Sequence, residues 1–261
     1  MPEILTWKKV SIATINGRIT TTFSVPEYYK EYMDWEVRSS TLRYVRRKDI
    51  FFLNITIRKT SPEHFGDKIL GIDRGIVNIA VCSNNVFFNG KQIKNVRGKY
   101  AFLRKKLQSK GTKSAKRLLR KISRKENGFV KDTNHCISKT IVNMPFDVFA
   151  LEDLTSIRVQ TRKGKNFNRK LNNWSFYQLA QFLEYKAEAL GKSVIYIDPR
   201  YSSQKCSKCG DIRKSNRKGS SYHCKACGFD MHSDLNASYN IAQAGISCLS
   251  RLSVNQPNVA T

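Results

Sequence analysis

Apolar and polar residues alternate over residues 9–15 and again over residues 50–57, the period of two imposed by a strand with one buried face. Turn signals at Asn16-Gly17 and Arg47-Lys48-Asp49 fold these stretches into hairpins, and residues 27–35 read as a short helix between them. Residues 58–67, with Pro62 and Gly66, read as a linker. From Lys68 the pattern changes: residues 69–72 and 77–83 read as strands joined around Gly75, and residues 86–96 as a third hairpin-like piece. Over residues 98–143 the apolar positions Phe102, Leu103, Leu107, Leu118, Leu119 and Ile122 recur at helical spacing, with breaks expected near Gly111 and Gly128. A buried-type strand (147–151), a basic loop (158–170), an amphipathic helix (175–190) ended by Gly191, an apolar strand (194–197), a Ser-, Gly- and Lys-rich insert (206–227) and a last helix (234–244) follow. This order predicts an α/β layered domain, with residues 252–261 as a loose tail.

Charge changes the picture. The 261 residues hold 47 Lys and Arg against 20 Asp and Glu, a formal charge of +27, and an imbalance that large calls for a polyanionic partner. Much of it sits in one place: between Lys91 and Lys131 there are sixteen Lys or Arg and one acid, Glu126. A solvated helix face usually mixes signs to gain i,i+4 pairs, so a single sign favours phosphate contact. The 40% of hydrophobic residues is enough to build a core. Without a run of 18 or more apolar residues or an apolar leader in residues 1–20, the chain reads as cytoplasmic, with no membrane segment.

Four of the seven cysteines form two pairs, Cys206-x-x-Cys209 and Cys224-x-x-Cys227, each followed by glycine (Gly210, Gly228). Two such turns, each aiming both sulfurs at one point, suit a tetrahedral structural zinc, which leaves no open position for catalysis. The following glycine is expected to let backbone N–H groups approach the sulfurs. His223 and His232 flank the second pair and are the alternative ligands. Cys82, Cys136 and Cys248 read as small buried fillers.

Three acids stand out because they interrupt apolar segments or adjoin unusual chemistry: Asp73 in Ile-Leu-Gly-Ile-Asp-Arg-Gly, Glu152 in Val-Phe-Ala-Leu-Glu-Asp-Leu, and Asp234 in His-Ser-Asp-Leu-Asn-Ala. Singly, each has a plain structural explanation, as a turn residue or a helix cap. Together, at the ends of three core elements, they can meet at one sheet edge, where a divalent cation with oxygen ligands would offset their repulsion and magnesium is the natural choice. Two such ions can stabilise both the attacking water and the leaving oxygen of a phosphodiester.

The stretches Gly71-Ile-Asp-Arg-Gly75, Ala150-Leu-Glu-Asp-Leu154, Cys206-Ser-Lys-Cys-Gly210, Cys224-Lys-Ala-Cys-Gly228 and Asp234-Leu-Asn-Ala-Ser-Tyr-Asn-Ile241, in this order, resemble the RuvC-like nuclease of TnpB, the insertion-sequence OrfB family related to type V CRISPR effectors. The resemblance covers residues 68–245. It implies an α/β, RNase H-like (RuvC) nuclease domain with an inserted zinc ribbon, preceded by a small wedge-like β-barrel segment that grips guide RNA. The implied layout is a partial barrel over 1–66, nuclease over 67–198, ribbon over 199–232, nuclease again over 233–250 and a flexible tail over 251–261. Asp73, Glu152 and Asp234 would be the catalytic triad and magnesium ligands, Cys206, Cys209, Cys224 and Cys227 the zinc ligands, and Asn236 and Asn240 would orient the last acid. Nucleic-acid contacts are expected from Lys105, Arg117, Arg120 and Arg124 on the basic helix, Arg162 and Lys163 in the loop, and Arg200 and Lys208 at the ribbon.

The implied activity is RNA-guided DNA cleavage in a prokaryotic, nucleoid-associated setting, with a transposon-derived guide RNA and target DNA as partners. Family members usually carry a longer N-terminal half holding a helical recognition domain, so a homodimer or a partner supplying that region is also expected. Two other readings stay open: a non-cleaving guide-RNA- or DNA-binding regulator, and a transposase proper that joins strands.

Overall fold

A computed structural model of the chain describes residues 2–61, 66–155 and 175–254. The chain divides into two compact units, Met1–Ser61 and Pro62–Thr261. In the first, β1 (Glu3–Thr6), β2 (Lys9–Thr14) and β3 (Gly17–Thr22) form an antiparallel sheet, and β4 (Glu36–Val45) pairs with β5 (Ile50–Arg58) in a second. A short 3-10 helix, Glu27–Tyr32, lies between them in sequence. The turn after β4 forms where expected: Asp49 takes φ 51°, a left-handed conformation that Asp tolerates, and its Oδ1 accepts from the Tyr44 hydroxyl at 2.6 Å. Among the described residues no ladder joins the two sheets. They line a cleft of about 1250 Å³ whose walls include Trp7, Val10, Tyr32, Leu42, Phe52 and Ile55.

The second unit is built on a five-stranded sheet made of β6 (Ile69–Asp73), β7 (Asn78–Cys82), β8 (Phe87–Asn89), β9 (Val148–Glu152) and β10 (Ser193–Ile197), in the order β10-β9-β6-β7-β8. β6, β7 and β8 form an antiparallel meander, while β9 and β10 run parallel to β6. Among the described residues four α-helices accompany it: α1 (Lys91–Lys110), α2 (Lys113–Val142), α3 (Phe176–Ala189) and α4 (Ser233–Val254).

Both faces of the sheet are covered, which is why the central strands read as continuous apolar runs. Leu70, Ile72, Phe149 and Leu151 pack with Ile137 and Ile141 of α2 and with Leu179 and Leu183 of α3, whereas Ala150 and Ile197 pack with Ile241 of α4. α4 lies so close to β6 that a Cβ on Gly71 would stand 2.1 Å from Ser238 O and 2.4 Å from Ala242 N. Gly71 therefore serves helix packing, not the ligand approach that its place beside Asp73 suggests.

Three boundaries differ from the sequence reading. Residues 91–96 are the first turns of α1 and not a hairpin strand; Ile93 and Val96 favour extended chain locally, but with Tyr100, Leu103 and Leu107 they complete a helical stripe. α1 ends where expected, with Gly111 at φ 64°, and Thr112 caps α2 by accepting from Ala115 N at 3.2 Å. Gly128 breaks nothing: it costs only about 1 kcal/mol relative to alanine, and the buried face on either side, Ile122, Val130, Ile137 and Ile141, carries α2 through it. α4 continues past Ser250 to Val254. No helix of the described residues is long and apolar enough to cross a membrane.

Candidate functional site: an acidic centre and a four-cysteine knot

Asp73 closes β6 and Glu152 closes β9. The two strands are parallel neighbours with Ile72 opposite Leu151, so both acids emerge at the same edge, beyond the C-terminal ends of the strands. Asp234 stands in the first turn of α4, the helix that Gly71 admits against β6. From β7, Asn78 Nδ2 donates to Asp234 Oδ2 at 2.9 Å. Arg217 Nη2 pairs with Asp234 Oδ1 at 3.0 Å. Glu152 accepts through Oε1 from the Ser202 hydroxyl, and its main-chain oxygen accepts from Arg74 Nη2. Arg74 is itself buried and also donates through Nη1 to Phe176 O at 3.0 Å, tying the end of β6 to the start of α3. The Asp73 side chain makes no hydrogen bond or ion pair with the other described residues, although its backbone pairs with Val81 of β7.

Electrostatics bind the three acids together. Burial pushes the Asp73 carboxyl well above its usual range, and the charges of Glu152 and Asp234 push it further, while Arg217 and Arg74 act the other way. Burial also raises Glu152, against the Ser202 hydroxyl and the two arginines. An all-oxygen donor set whose charges repel one another in a buried setting fits a hard divalent cation, which would offset that repulsion. Arg217 supplies part of that positive charge in this structure. The acids are not drawn to metal-ligand spacing: among the described residues, the four cysteines are the one group of three or more such side chains with donor atoms within 4.8 Å of one another.

Those cysteines fit zinc closely. Cys206 Sγ lies 3.8 Å from Cys227 Sγ and Cys209 Sγ 3.6 Å from Cys224 Sγ. A tetrahedron of sulfurs with Zn–S near 2.3 Å has edges of about 3.8 Å, and a disulfide would need about 2.05 Å. Gly210 and Gly228 take φ 81° and 69°, and their N–H groups donate to Cys206 O at 2.9 Å and Cys224 O at 2.8 Å. The glycines therefore close each turn through the left-handed region, and the N–H groups that reach sulfur come from neighbours: Asp211 to Cys209, Ala226 and Cys227 to Cys224, Phe229 to Cys227. At Cys224 burial raises the thiol, but these donors and the adjacent thiols prevail and bring it down to about 7.

Neither flanking histidine is a ligand. His223 Nδ1 meets Asp230 Oδ1 at 2.7 Å, and His232 Nδ1 accepts from Asp234 N at 3.2 Å while its ring stands edge-on to Phe87. Of the three remaining cysteines, Cys82 is buried as expected, but Cys136 is exposed and Cys248 intermediate, because both fall on the outward side of their helices.

The knot and the acids are joined by residues that carry no sequence signal of their own. Ser202 and Arg217 lie outside every motif quoted above, and Asn78 has only its place after a glycine turn. Asn236 and Asn240, expected to orient Asp234, instead hold the chain that enters the knot: Asn236 Nδ2 donates to Lys205 O at 2.7 Å, and Asn240 Nδ2 to Ser202 O at 2.8 Å and Lys205 O at 2.7 Å. Among the basic candidates, Lys105, Arg117, Arg120 and Arg124 are all exposed on α1 and α2. Glu126, the lone acid there, is buried and paired with Arg104, so it leaves their charge uncompensated. Arg200 is exposed beside Asp198 at 3.6 Å, and Lys208 lies over the Phe229 ring at 5.9 Å. Arg162 and Lys163 lie outside the described residues.

Both parts of the second unit lie in stretches that resemble known proteins. Residues 52–156 match the model of the OrfB_IS605 family, a probable transposase, and residues 176–241 match the Cas12f1-like TNB domain. The chain is 34% identical over 235 residues to the CRISPR-associated endodeoxyribonuclease Cas12f1 of Sulfoacidibacillus thermotolerans, covering 80% of this chain and 54% of that protein. It is 29% identical over 251 residues to the TnpB-like protein MJ0751 of Methanocaldococcus jannaschii, covering 89% of each. In fold it is similar to a Cas12f1 protein solved with sgRNA and target DNA, with TM-score 0.56 at 18% identity over 80% of this chain and 64% of that one. The chain is thus similar to TnpB-like proteins along most of its length. It spans about half the length of the Cas12f1 relative.

Proposed function

We propose that this protein is an RNA-guided, magnesium-dependent DNA endonuclease of transposon origin, with Asp73, Glu152 and Asp234 as the metal-holding catalytic acids and a structural zinc on Cys206, Cys209, Cys224 and Cys227. The observation that carries the reading is the convergence of three carboxylates, drawn from the ends of two parallel strands and the first turn of a helix, with the Asp73 carboxyl pushed up by burial and then by the charges of the other two. The order β10-β9-β6-β7-β8, an antiparallel meander extended by two parallel strands with helices on both faces, supports an RNase H-like nuclease domain. The two sheets of the first unit, with apolar walls around a cleft, support the wedge-like barrel segment.

Bound magnesium would lower the pKa of an attacking water and stabilise the leaving oxygen of the phosphodiester. The chain's own residues prepare that centre. Ser202 and Arg74 fix Glu152, Asn78 fixes one oxygen of Asp234, and Arg217 reaches the same site with a charge complementary to a scissile phosphate. The exposed cations of α1 and α2 are suited to a phosphate backbone, with guide RNA and target DNA the partners in keeping with the relatives' names; Lys208 and the loop cations Arg162 and Lys163 extend the same proposal. A homodimer or a further partner contributing to target recognition belongs to the same proposal.

The test is cleavage of a matched DNA target by the purified protein with its copurifying RNA and magnesium. Cleavage should disappear in Asp73→Asn while RNA binding persists. Undiminished cleavage by that variant overturns the assignment, and RNA binding without cleavage in the parent protein favours a non-cleaving regulator.

A further inference from the structure

We infer that Ser202 and Asn240 are positioning residues through which the four-cysteine knot sets the geometry of the acidic centre. The inference rests on reading the three acids as a divalent-metal site and adds to it a dependence on a second site within the same unit.

The connection begins in the segment that leads into the first cysteine pair. Three residues on one stripe of α4 grip it. Asn240 Nδ2 donates to Ser202 O at 2.8 Å and Lys205 O at 2.7 Å. Asn236 Nδ2 donates to Lys205 O at 2.7 Å, and its Oδ1 accepts from Ser207 N at 3.0 Å. Gln243 Nε2 donates to Ser207 O at 3.1 Å. The Asn240 amide has only one workable orientation, because turning it over would set its oxygen against two carbonyl oxygens. Its Oδ1 is buried without a partner, so the side chain is committed to this grip at the expense of its own acceptor.

What the grip fixes is the hydroxyl of Ser202, which donates to Glu152 Oε1. The backbone just before it is unusual: Tyr201 takes φ 62°, a conformation that non-glycine residues seldom adopt unless their surroundings impose it. With the carbonyls of Ser202 and Lys205 held by α4 and Cys206 held in the knot, this turn aims Ser202 at the carboxylate.

The other side of the knot reaches a second acid. β11 (Arg217–Lys218) lies between the cysteine pairs, and its Arg217 meets Asp234 at 3.0 Å. The segment is anchored there: Ser233 Oγ donates to Gly219 O at 2.9 Å and Ser233 N to Ser220 O at 2.8 Å. Two of the three acids thus each take a partner from the ribbon, one from just before the first cysteine pair and one from between the two pairs. Outer partners of this kind set ligand direction, and their loss usually costs about 10-fold or more in metal affinity.

The experiment titrates Mn²⁺ into the zinc-loaded full chain and follows free Mn²⁺ by its electron paramagnetic resonance signal, with no nucleic acid present. Ser202→Ala and Asn240→Ala should each weaken binding by about 10-fold while zinc content stays full, and Ser202→Thr, which keeps the hydroxyl, should restore it. Parent-like Mn²⁺ affinity in Ser202→Ala overturns the inference, and because that change removes a single oxygen the result stands even if Asn240→Ala fails to fold. Asp73→Asn separates the two levels of the argument. If it leaves Mn²⁺ binding intact, the acidic centre is not the metal site; if it abolishes binding while Ser202→Ala does not alter it, only the positioning role fails.

Discussion

The four-cysteine knot and the acidic centre lie in the same unit and both gather ligand-type side chains, but they are assembled by opposite means. The knot draws on Cys206 to Cys227, a short stretch of chain whose two turns set the sulfur spacing through local backbone geometry. The acidic centre draws on Asp73, Glu152 and Asp234, far apart in sequence, and relies on strand register and on α4 packing against Gly71 to hold charges that repel. A local metal motif can be complete before the domain folds; a distributed one exists only because the core is strong enough to override its electrostatics.

Removing zinc should be the largest perturbation: it should unfold the ribbon and loosen its contacts to Glu152 and Asp234 while leaving the central sheet folded. Zinc in such peptide-sized sites contributes on the order of 10 kcal/mol of folding free energy, and the ribbon core otherwise consists of Tyr222 and Phe229 around two of the cysteines. In Cys227→Ser, or after chelation, amides of β12 (Ser221–His223) and β13 (Asp230–His232) should lose hydrogen-exchange protection while β6 and β9 keep theirs. Ribbon amides that stay protected without metal would show that the knot is no more local than the acids.

Gly71→Ala attacks the other assembly. Its Cβ cannot coexist with Ser238 O at 2.1 Å, so α4 must shift and Asp234 with it. A loss of about 3 kcal/mol in denaturant unfolding is expected, with zinc affinity little changed. If zinc affinity falls as far as stability does, the sulfur spacing is not set by the two turns alone.

A smaller effect isolates the repulsion itself. A carboxyl whose pKa is raised on folding binds its proton more tightly in the folded state, so its contribution is fully present below the ordinary value of 3.8 and is lost as pH rises through the raised value. Each unit of the raise costs about 1.4 kcal/mol at higher pH. Asparagine does not ionise, so without magnesium Asp73→Asn should be more stable than the parent at neutral pH, the difference shrinking as pH falls. A difference independent of pH would mean that Asp73 is not held under electrostatic strain.

The mildest test concerns the basic face. Neutralising Lys105, Arg117, Arg120 and Arg124 should reduce the slope of log affinity against log salt by about 0.9 per lost phosphate contact on duplex DNA, or about 0.7 on a single strand. An unchanged slope would take these cations out of the nucleic-acid interface.

How far each feature could be read from the sequence follows the same division. The cysteine spacing could be read outright, and the acids stood out as candidates, because a carboxylate at the end of an apolar strand contrasts with its neighbours. Gly71 was visible as a residue but not in its role, since only the approach of α4 shows what a Cβ would strike. Asn236 and Asn240 sit beside Asp234 in sequence and yet face the segment entering the knot, because a helix turns residues two and six positions on toward other surroundings. The start of α1 was read as strand for a related reason: Ile93 and Val96 are β-formers locally, and the stripe they complete spans several turns.

By itself the sequence determined which ligand-type side chains this protein has: oxygen donors at three strand or helix ends, sulfur donors in two tight turns, and a one-sided run of cations. Their type and local spacing are properties of the chain. Only the tertiary structure decided which residues attend them. That Ser202 serves Glu152, that Arg217 and Asn78 serve Asp234, and that Arg74 braces the strand end depend on the register of parallel strands and the docking of a distant helix, which bring together residues that no local pattern relates.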